Sequence, residues 1–331
     1  MLVVGIAGNA HALKPEKHAA ITTDRCTAAG LPQDFCTRAA TEDYDTDRRE
    51  WTDLSAHAQI ADDQTACEAA DVAAQRLWTL GDQLRQALAA VAASPTEDNV
   101  GQAGAALGRA LHTIQDDCAH HGMPNPQHAW WSLDDYCNGT TLSPDVQDSA
   151  AACASSETAT VIALVAAAVR DSGTADSLGA LSCASGCTDR DGPTWLEQCD
   201  FIGEASNWDG IDRRWNNDVA VPALRAAFAA GLAGSAAPAS VCGGDESVLS
   251  AAVSDPIVDV SGGTLTCAKA HVLCLGKADT DGGPFADDPA PASGGCTVGD
   301  PRGGVLVLGA LLMLARRRRG RPLRGTPSLP D

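Results

Sequence analysis

Positive charge is scarce in this chain. Its 331 residues hold 23 Lys and Arg against 43 Asp and Glu, a formal net charge of −20. Long-range attraction to nucleic acid or to an anionic membrane is therefore not expected. Tyr and Phe are also rare, at two and four. Trp is the exception: all seven fall between Trp51 and Trp215, so the best core-building material lies in that span. Strand-like alternation is infrequent and no internal repeat occurs. No Ser-His-Asp arrangement and no phosphate-cradling Gly-rich loop is present, so serine hydrolysis and nucleotide binding have no sequence support.

Cysteine, by contrast, is plentiful. Thirteen occur, which points to an oxidising compartment. Cys296 stands apart in a Gly-rich tail, and the remaining twelve allow six disulfides whose connectivity the sequence does not give. Local bridges are expected for Cys26–Cys36 and within Cys183, Cys187 and Cys199. The Cys183–Cys187 pair lacks the second half of a metal site at matching spacing, so a disulfide role is expected. The start, MLVVGIAGNAHALKPEKH, has an apolar run and then Ala-His-Ala. It resembles the end of a secretory signal cleaved after Ala12.

Helix signals dominate from Leu13 to about residue 234. In 65–93, Leu77, Leu80, Leu84, Leu88 and Val91 recur every three or four residues and mark one helical face. Residues 98–121 form a second helix candidate, ended by Gly122 and Pro124. Stretches 156–171 and 215–230 give two more. The expected fold is all-α for 13–234, one multi-helix domain. A small disulfide-tied extension is expected at 235–274, from its three Cys, short β-branched runs and Gly-Gly turns. A Gly, Ala, Asp and Pro-rich linker follows at 275–295.

The stretch 107–131, LGRALHTIQDDCAHHGMPNPQHAWW, holds four of the eight histidines. His112, Asp116 and His120 are spaced i, i+4, i+8. Each step of four turns a helix by about 400°, so the three share one face. Metal ligation needs neutral imidazoles and carboxylates that converge, and a rigid helix supplies the convergence. His128 follows on a Pro-rich stretch read as a loop. Upstream lie His18, His57 and the acidic segment TEDYDTDRREW with Asp43, Asp45 and Asp47, also read as a loop. The set points to metal binding. Trp130 and Trp131 offer an apolar wall for a lipid headgroup or a stacked base, with one of them expected in the core.

An early His followed by Ile-Thr, an acidic segment, a further His, then LGRALHTIQD and more His resembles the zinc-dependent phospholipase C family. That family shares its helical fold with single-strand-specific zinc nucleases. The similarity covers about residues 13–135, with weaker helical continuation to about 234. Its strongest element runs from Leu111 to Asp116, with Gly108 ahead of it. The resemblance implies two or three zinc ions in a cleft. One would take Asp43, His57, His112 and Asp116. Asp116 would bridge to a second that takes His18 and the mature N-terminal residue, which cleavage after Ala12 would make Leu13. A third would take His120 and His128 with a carboxylate. His121 competes with His120 there. The family's Glu one turn after the last His is Ser132 here, with Asp134 and Asp135 the nearest acids.

The implied activity is zinc-dependent phosphodiester hydrolysis, with Asp43 as the catalytic carboxylate that orients water and a phospholipid among the expected substrates. The alternatives are a single-strand zinc nuclease and a non-catalytic surface protein stabilised by metal and disulfides. A disulfide-built adhesion scaffold would need no metal.

The tail, GGCTVGDPRGGVLVLGALLMLARRRRGRP, combines Gly-Gly-Cys, a spacer, a short apolar stretch from Gly303 to Ala315 and four arginines. It resembles the myxobacterial sorting signal MYXO-CTERM over roughly the last 35 residues. This implies transient membrane insertion, processing near Cys296 by a sorting protease, and export to the cell surface or outer membrane, or release from it. Residues 13–296 retain 16 basic and 41 acidic residues, a net charge of −25. Such acidity disfavours a polyanionic substrate, so nucleic acid is not the expected partner.

Overall fold

The structure, a computed structural model, describes residues 13–50, 52–138, 143–179, 208 and 210–249, with the backbone alone at 133–138. Among these residues the regular structure is helical, and one isolated β-bridge joins Ile60 to Pro124. The helices are α1 (Pro15–Ala28), α2 (Gln33–Arg49), α3 (Ala66–Ala93), α4 (Glu97–His120), α5 (Asn125–Asn138), α6 (Asp148–Ser172), α7 (Ala175–Gly179) and α8 (Asn217–Leu232). Single 3-10 turns lie at Pro144–Val146 and Glu246–Val248.

The helix faces follow from side-chain period. In α3, Leu77, Leu80, Leu84, Leu88 and Val91 are all buried. They meet Leu107, Leu111 and Ile114 of α4, Val161, Ile162 and Val165 of α6, and Leu224 and Phe228 of α8 in one core. Each such side chain contributes about 1.5–3 kcal/mol on burial. Local signals agree with the packing. Thr65 and Glu68 form a reciprocal capping box that starts α3. Thr96 accepts from Asn99 N at the start of α4.

Two segments differ from their sequence reading. The acidic segment read as a loop is the C-terminal half of α2. Its acids at every second position hide the fact that Asp43 and Asp47 lie one turn apart on one face. The Pro-rich stretch carrying His128 is the start of α5. Pro126 sits in its first turn, where the missing N–H costs nothing because no intrahelical partner exists there.

Among the described residues three disulfides are formed. Cys26–Cys36 ties α1 to α2, and Cys118–Cys153 ties α4 to α6. Cys67–Cys242 bridges 175 residues of sequence. Through it the described part of the expected extension, 235–249, is stapled to the first turn of α3. Val241, Val248 and Leu249 pack there with Ala69, Ala70 and Trp215. The expected bridge among Cys183, Cys187 and Cys199 lies outside the described residues. So do the leader at 1–12, the remainder of the extension, the linker and the C-terminal sorting segment. The disulfides indicate an oxidising environment.

The contact that matters most for the site is α2 against α4. A Cβ added at Gly108 would lie 2.2 Å from the Ala39 carbonyl oxygen and 2.8 Å from Asp43 N. Glycine thus lets the two backbones approach, and the next turns of each helix bring their polar side chains together.

Candidate metal centre

The site is the continuation of that close contact. Gly104, Gly108, His112, Asp116 and His120 repeat every fourth residue along α4, so the small residues and the polar ones form one stripe. Facing it, α2 offers Asp43 and Asp47, and α1 offers His18 and Thr22. His57 comes from the loop between α2 and α3, and His128 from α5. Asp145 comes from the 3-10 turn that precedes α6. His18, Asp43, His57, His112, Asp116 and His120 are all buried.

Three groups of side chains could each hold a metal ion: Asp47, His57, His112 and Asp116; His18, Asp43 and His112; and His120, His128 and Asp145. In the first, Asp116 Oδ2 lies 2.9 Å from His57 Nδ1 and 3.1 Å from His112 Nε2. The two ring nitrogens are 3.2 Å apart. Asp47 Oδ1 lies 3.5 Å from His112 Nε2 and 3.9 Å from His57 Nδ1. Ligands about 2.0–2.1 Å from a tetrahedral ion are about 3.3 Å from one another. The observed edges straddle that value, so the donor set fits a small tetrahedral cation.

Hydrogen bonds behind the ligands fix which nitrogen faces the centre. His112 Nδ1 faces Asp43 Oδ1 at 3.2 Å, which leaves Nε2 for the ion. Asp43 Oδ2 in turn accepts from Thr22 Oγ1 at 2.5 Å and from Gln115 Nε2 at 3.1 Å. The structure therefore sets Asp47 in the four-ligand group where the resemblance had Asp43. Both oxygens of Asp43 are engaged inside the core, where it braces His112 and belongs to the second group with His18. His18 Nδ1 donates to Gln115 Oε1 at 2.8 Å, and its Nε2 faces Asp116 Oδ1 at 3.1 Å. Asp116 thus turns one oxygen to His57 and His112 and the other to His18, the posture of a carboxylate shared by two adjacent sites.

In the third group each oxygen of Asp145 faces one imidazole. His120 Nε2 and His128 Nε2 are both 3.1 Å away. His120 Nδ1 donates to the His57 carbonyl at 3.0 Å, which commits Nε2 to the site. His121 ends α4 in the left-handed conformation and belongs to none of the three groups. Asp134 and Asp135 have no described side chains. The carboxylate that does reach the histidines, Asp145, carries no periodic signal in the sequence. Leu13 is buried among Ile21, Cys118 and Ala119, outside the three groups.

Charge is balanced inside the cluster. Burial works against a charged His112, yet Asp116, Asp47 and Asp43 outweigh it and hold its pKa well above the ordinary histidine value. His120 is pushed up to about 9, burial being overcome by Asp116 and Asp145. Burial likewise disfavours charge on Asp116, but His112, His120 and His18 keep it well below the usual carboxylate range. Asp47 moves the other way: burial raises it. Without an ion, protons on His18, His112 and His120 balance the buried carboxylates. A divalent cation held there would take over that task and displace those protons, so its affinity is expected to rise with pH as His120, His112 and His18 lose them.

Trp130 and Trp131 lie two and three residues after His128 on α5. Both are buried, and Trp208 packs on them at 4.9 and 6.1 Å between ring centroids. Both therefore belong to a packed aromatic cluster. No family model matches the chain, and no curated protein or solved structure is detectably similar to it.

Proposed function

We propose that this chain is an exported, zinc-dependent phosphodiester hydrolase of the phospholipase C type, holding two or three zinc ions. The observation that supports this reading most is the convergence on Asp116. A tetrahedral donor set lies on one of its oxygens and a further histidine on the other. Bound there, zinc ions would supply an acidified water and neutralise charge on a phosphoryl oxygen.

The chain's own residues do the rest. Asp43 and Gln115 hold His112 and His18 in their ligating orientations. Asp47 Oδ2 is buried with no hydrogen-bond partner. That open oxygen, on a carboxylate whose other oxygen faces the donor set, is placed to accept a hydrogen bond from a water, the task the resemblance gave to Asp43. The −25 charge of residues 13–296 favours a small or zwitterionic phosphodiester over a polyanion. A choline phospholipid fits that requirement. The sorting-signal-like tail supports delivery to the cell surface.

The test is turnover by the oxidised full-length protein on a chromogenic phosphorylcholine diester, on phosphatidylcholine micelles and on single-stranded DNA. Hydrolysis of the choline diesters, abolished by chelator and restored by zinc, is expected. Cleavage of the DNA alone would move the chain to the nuclease class. Zinc binding with no turnover on any of the three would leave a non-catalytic, metal-stabilised surface protein.

A further inference from the structure

Behind the four-ligand group sits a cluster of charges that ligates nothing. Glu50 is the residue that ends α2, one turn after Asp47. Its two carboxylate oxygens are held by different helices. Arg76 of α3 reaches Oε2 at 2.6 Å, and Arg109 of α4 reaches Oε1 at 2.5 Å. Arg76 does more. Its Nη1 donates to Asp53 Oδ2 at 3.2 Å and its Nε to Thr113 Oγ1 at 3.1 Å. One guanidinium therefore grips Glu50 and Asp53 together and pins them beside His112. The Glu50 main-chain carbonyl accepts from Asp53 N at 2.7 Å. The second lone pair of that carbonyl faces His57 Nε2 at 3.3 Å. A carbonyl only accepts, so His57 carries its proton on Nε2 and turns the Nδ1 lone pair toward Asp47, His112 and Asp116.

We infer that Glu50, clamped by Arg76 and Arg109, is a positioning residue for the metal centre: it fixes the carbonyl that selects the tautomer and direction of His57. This deepens the metal-centre reading and rests on it. A salt bridge between exposed side chains would be worth little. Here the two ion pairs are partly buried and grip the carboxylate from two sides, and the two arginines outweigh burial in holding Glu50 below the usual carboxylate range. Its use is geometric. His57 is the one ligand of its group that comes from a loop, so it is the one that needs an external hold.

The experiment uses the full-length oxidised protein with divalent cobalt as probe, because tetrahedral cobalt absorbs strongly in the visible. Wild type, Glu50→Gln and Arg109→Gln are titrated with cobalt alone. Metal-free helix content and melting are recorded for each. Loss of a hydrogen bond behind a ligand typically weakens metal affinity about 10–100-fold. Glu50→Gln is expected to weaken the tetrahedral cobalt class by that factor, with a shifted visible band and an unchanged metal-free fold. Arg109→Gln, at a half-exposed side chain, folds even if Glu50→Gln does not, and shifts the same band. Arg109→Lys, which keeps a cation on Glu50, restores it. Wild-type affinity and band in both Gln variants would overturn the inference while leaving the metal centre intact. No tetrahedral band in wild type would overturn the centre itself, and this inference with it.

Discussion

Replacing His112 by Ala is expected to abolish hydrolysis and to remove metal from the four-ligand group. His112 Nε2 faces Asp116 Oδ2, His57 Nδ1 and Asp47 Oδ1 at 3.1, 3.2 and 3.5 Å. Removing it leaves Asp47, His57 and Asp116, one donor short of the four that group offers. Under the proposed chemistry, loss of this ligand removes the acidified water and the phosphate clamp together. The rate should fall at least about 1,000-fold. The check is kcat/KM on the choline diester, beside zinc content and far-ultraviolet circular dichroism of the same sample. Retained helix with lost zinc and lost turnover is the expected combination. Full activity in the variant would show that the centre described here is not where the reaction happens.

The second large effect is structural and needs no assumption about function. Gly108→Ala should cost about 1–3 kcal/mol or more, as overpacking between rigid elements does. The new methyl would meet backbone atoms of Ala39 and Asp43 and the Cβ of Glu42, none of which is the free end of a flexible side chain. Relief requires α2 and α4 to separate, which also pulls Asp43 and Asp47 away from His112. Both melting temperature and zinc affinity should therefore drop. Gly101→Ala is the matched control on the same helix. Its Cβ would meet only the Arg38 side chain, at 3.4 Å. That change should be neutral or stabilise by up to about 1 kcal/mol, from helix propensity alone. Equal melting temperatures for the two variants would contradict the close-contact account.

Much of this could be read before any fold was known, where a local rule was enough. The i, i+4, i+8 ladder on α4 needs only the helix repeat. The apolar face of α3 needs only the same period. Cys26–Cys36 closes a ten-residue separation and was readable locally, whereas Cys67–Cys242 joins residues that only the folded chain brings together. The rule that placed His112 and Asp116 on one face applies equally to Asp43 and Asp47. It went unused because acids every second residue read as a solvated loop. Pro126 misled for the opposite reason: proline breaks helices in their interior and is welcome in their first turn. Asp145 had no local signature at all. Its position depends on a 3-10 turn that contacts α4, α5 and α6, and on α6 being held to α4 by Cys118–Cys153. Gln115 and Glu50 were legible as residues but not as roles, since each acts through a hydrogen bond to a ligand from another segment.

The central claim is that the buried histidines and carboxylates around Asp116 are a metal centre and not a self-neutralised polar core. Native mass spectrometry of the oxidised full-length protein, dialysed against zinc and then against metal-free buffer, tests it most directly. Two or three zinc ions per chain are expected. In the Asp116→Asn variant the four-ligand group and the adjacent His18 site should empty together. A wild-type chain that carries no zinc after dialysis, with its helices and melting temperature unaffected by chelator, would contradict the account.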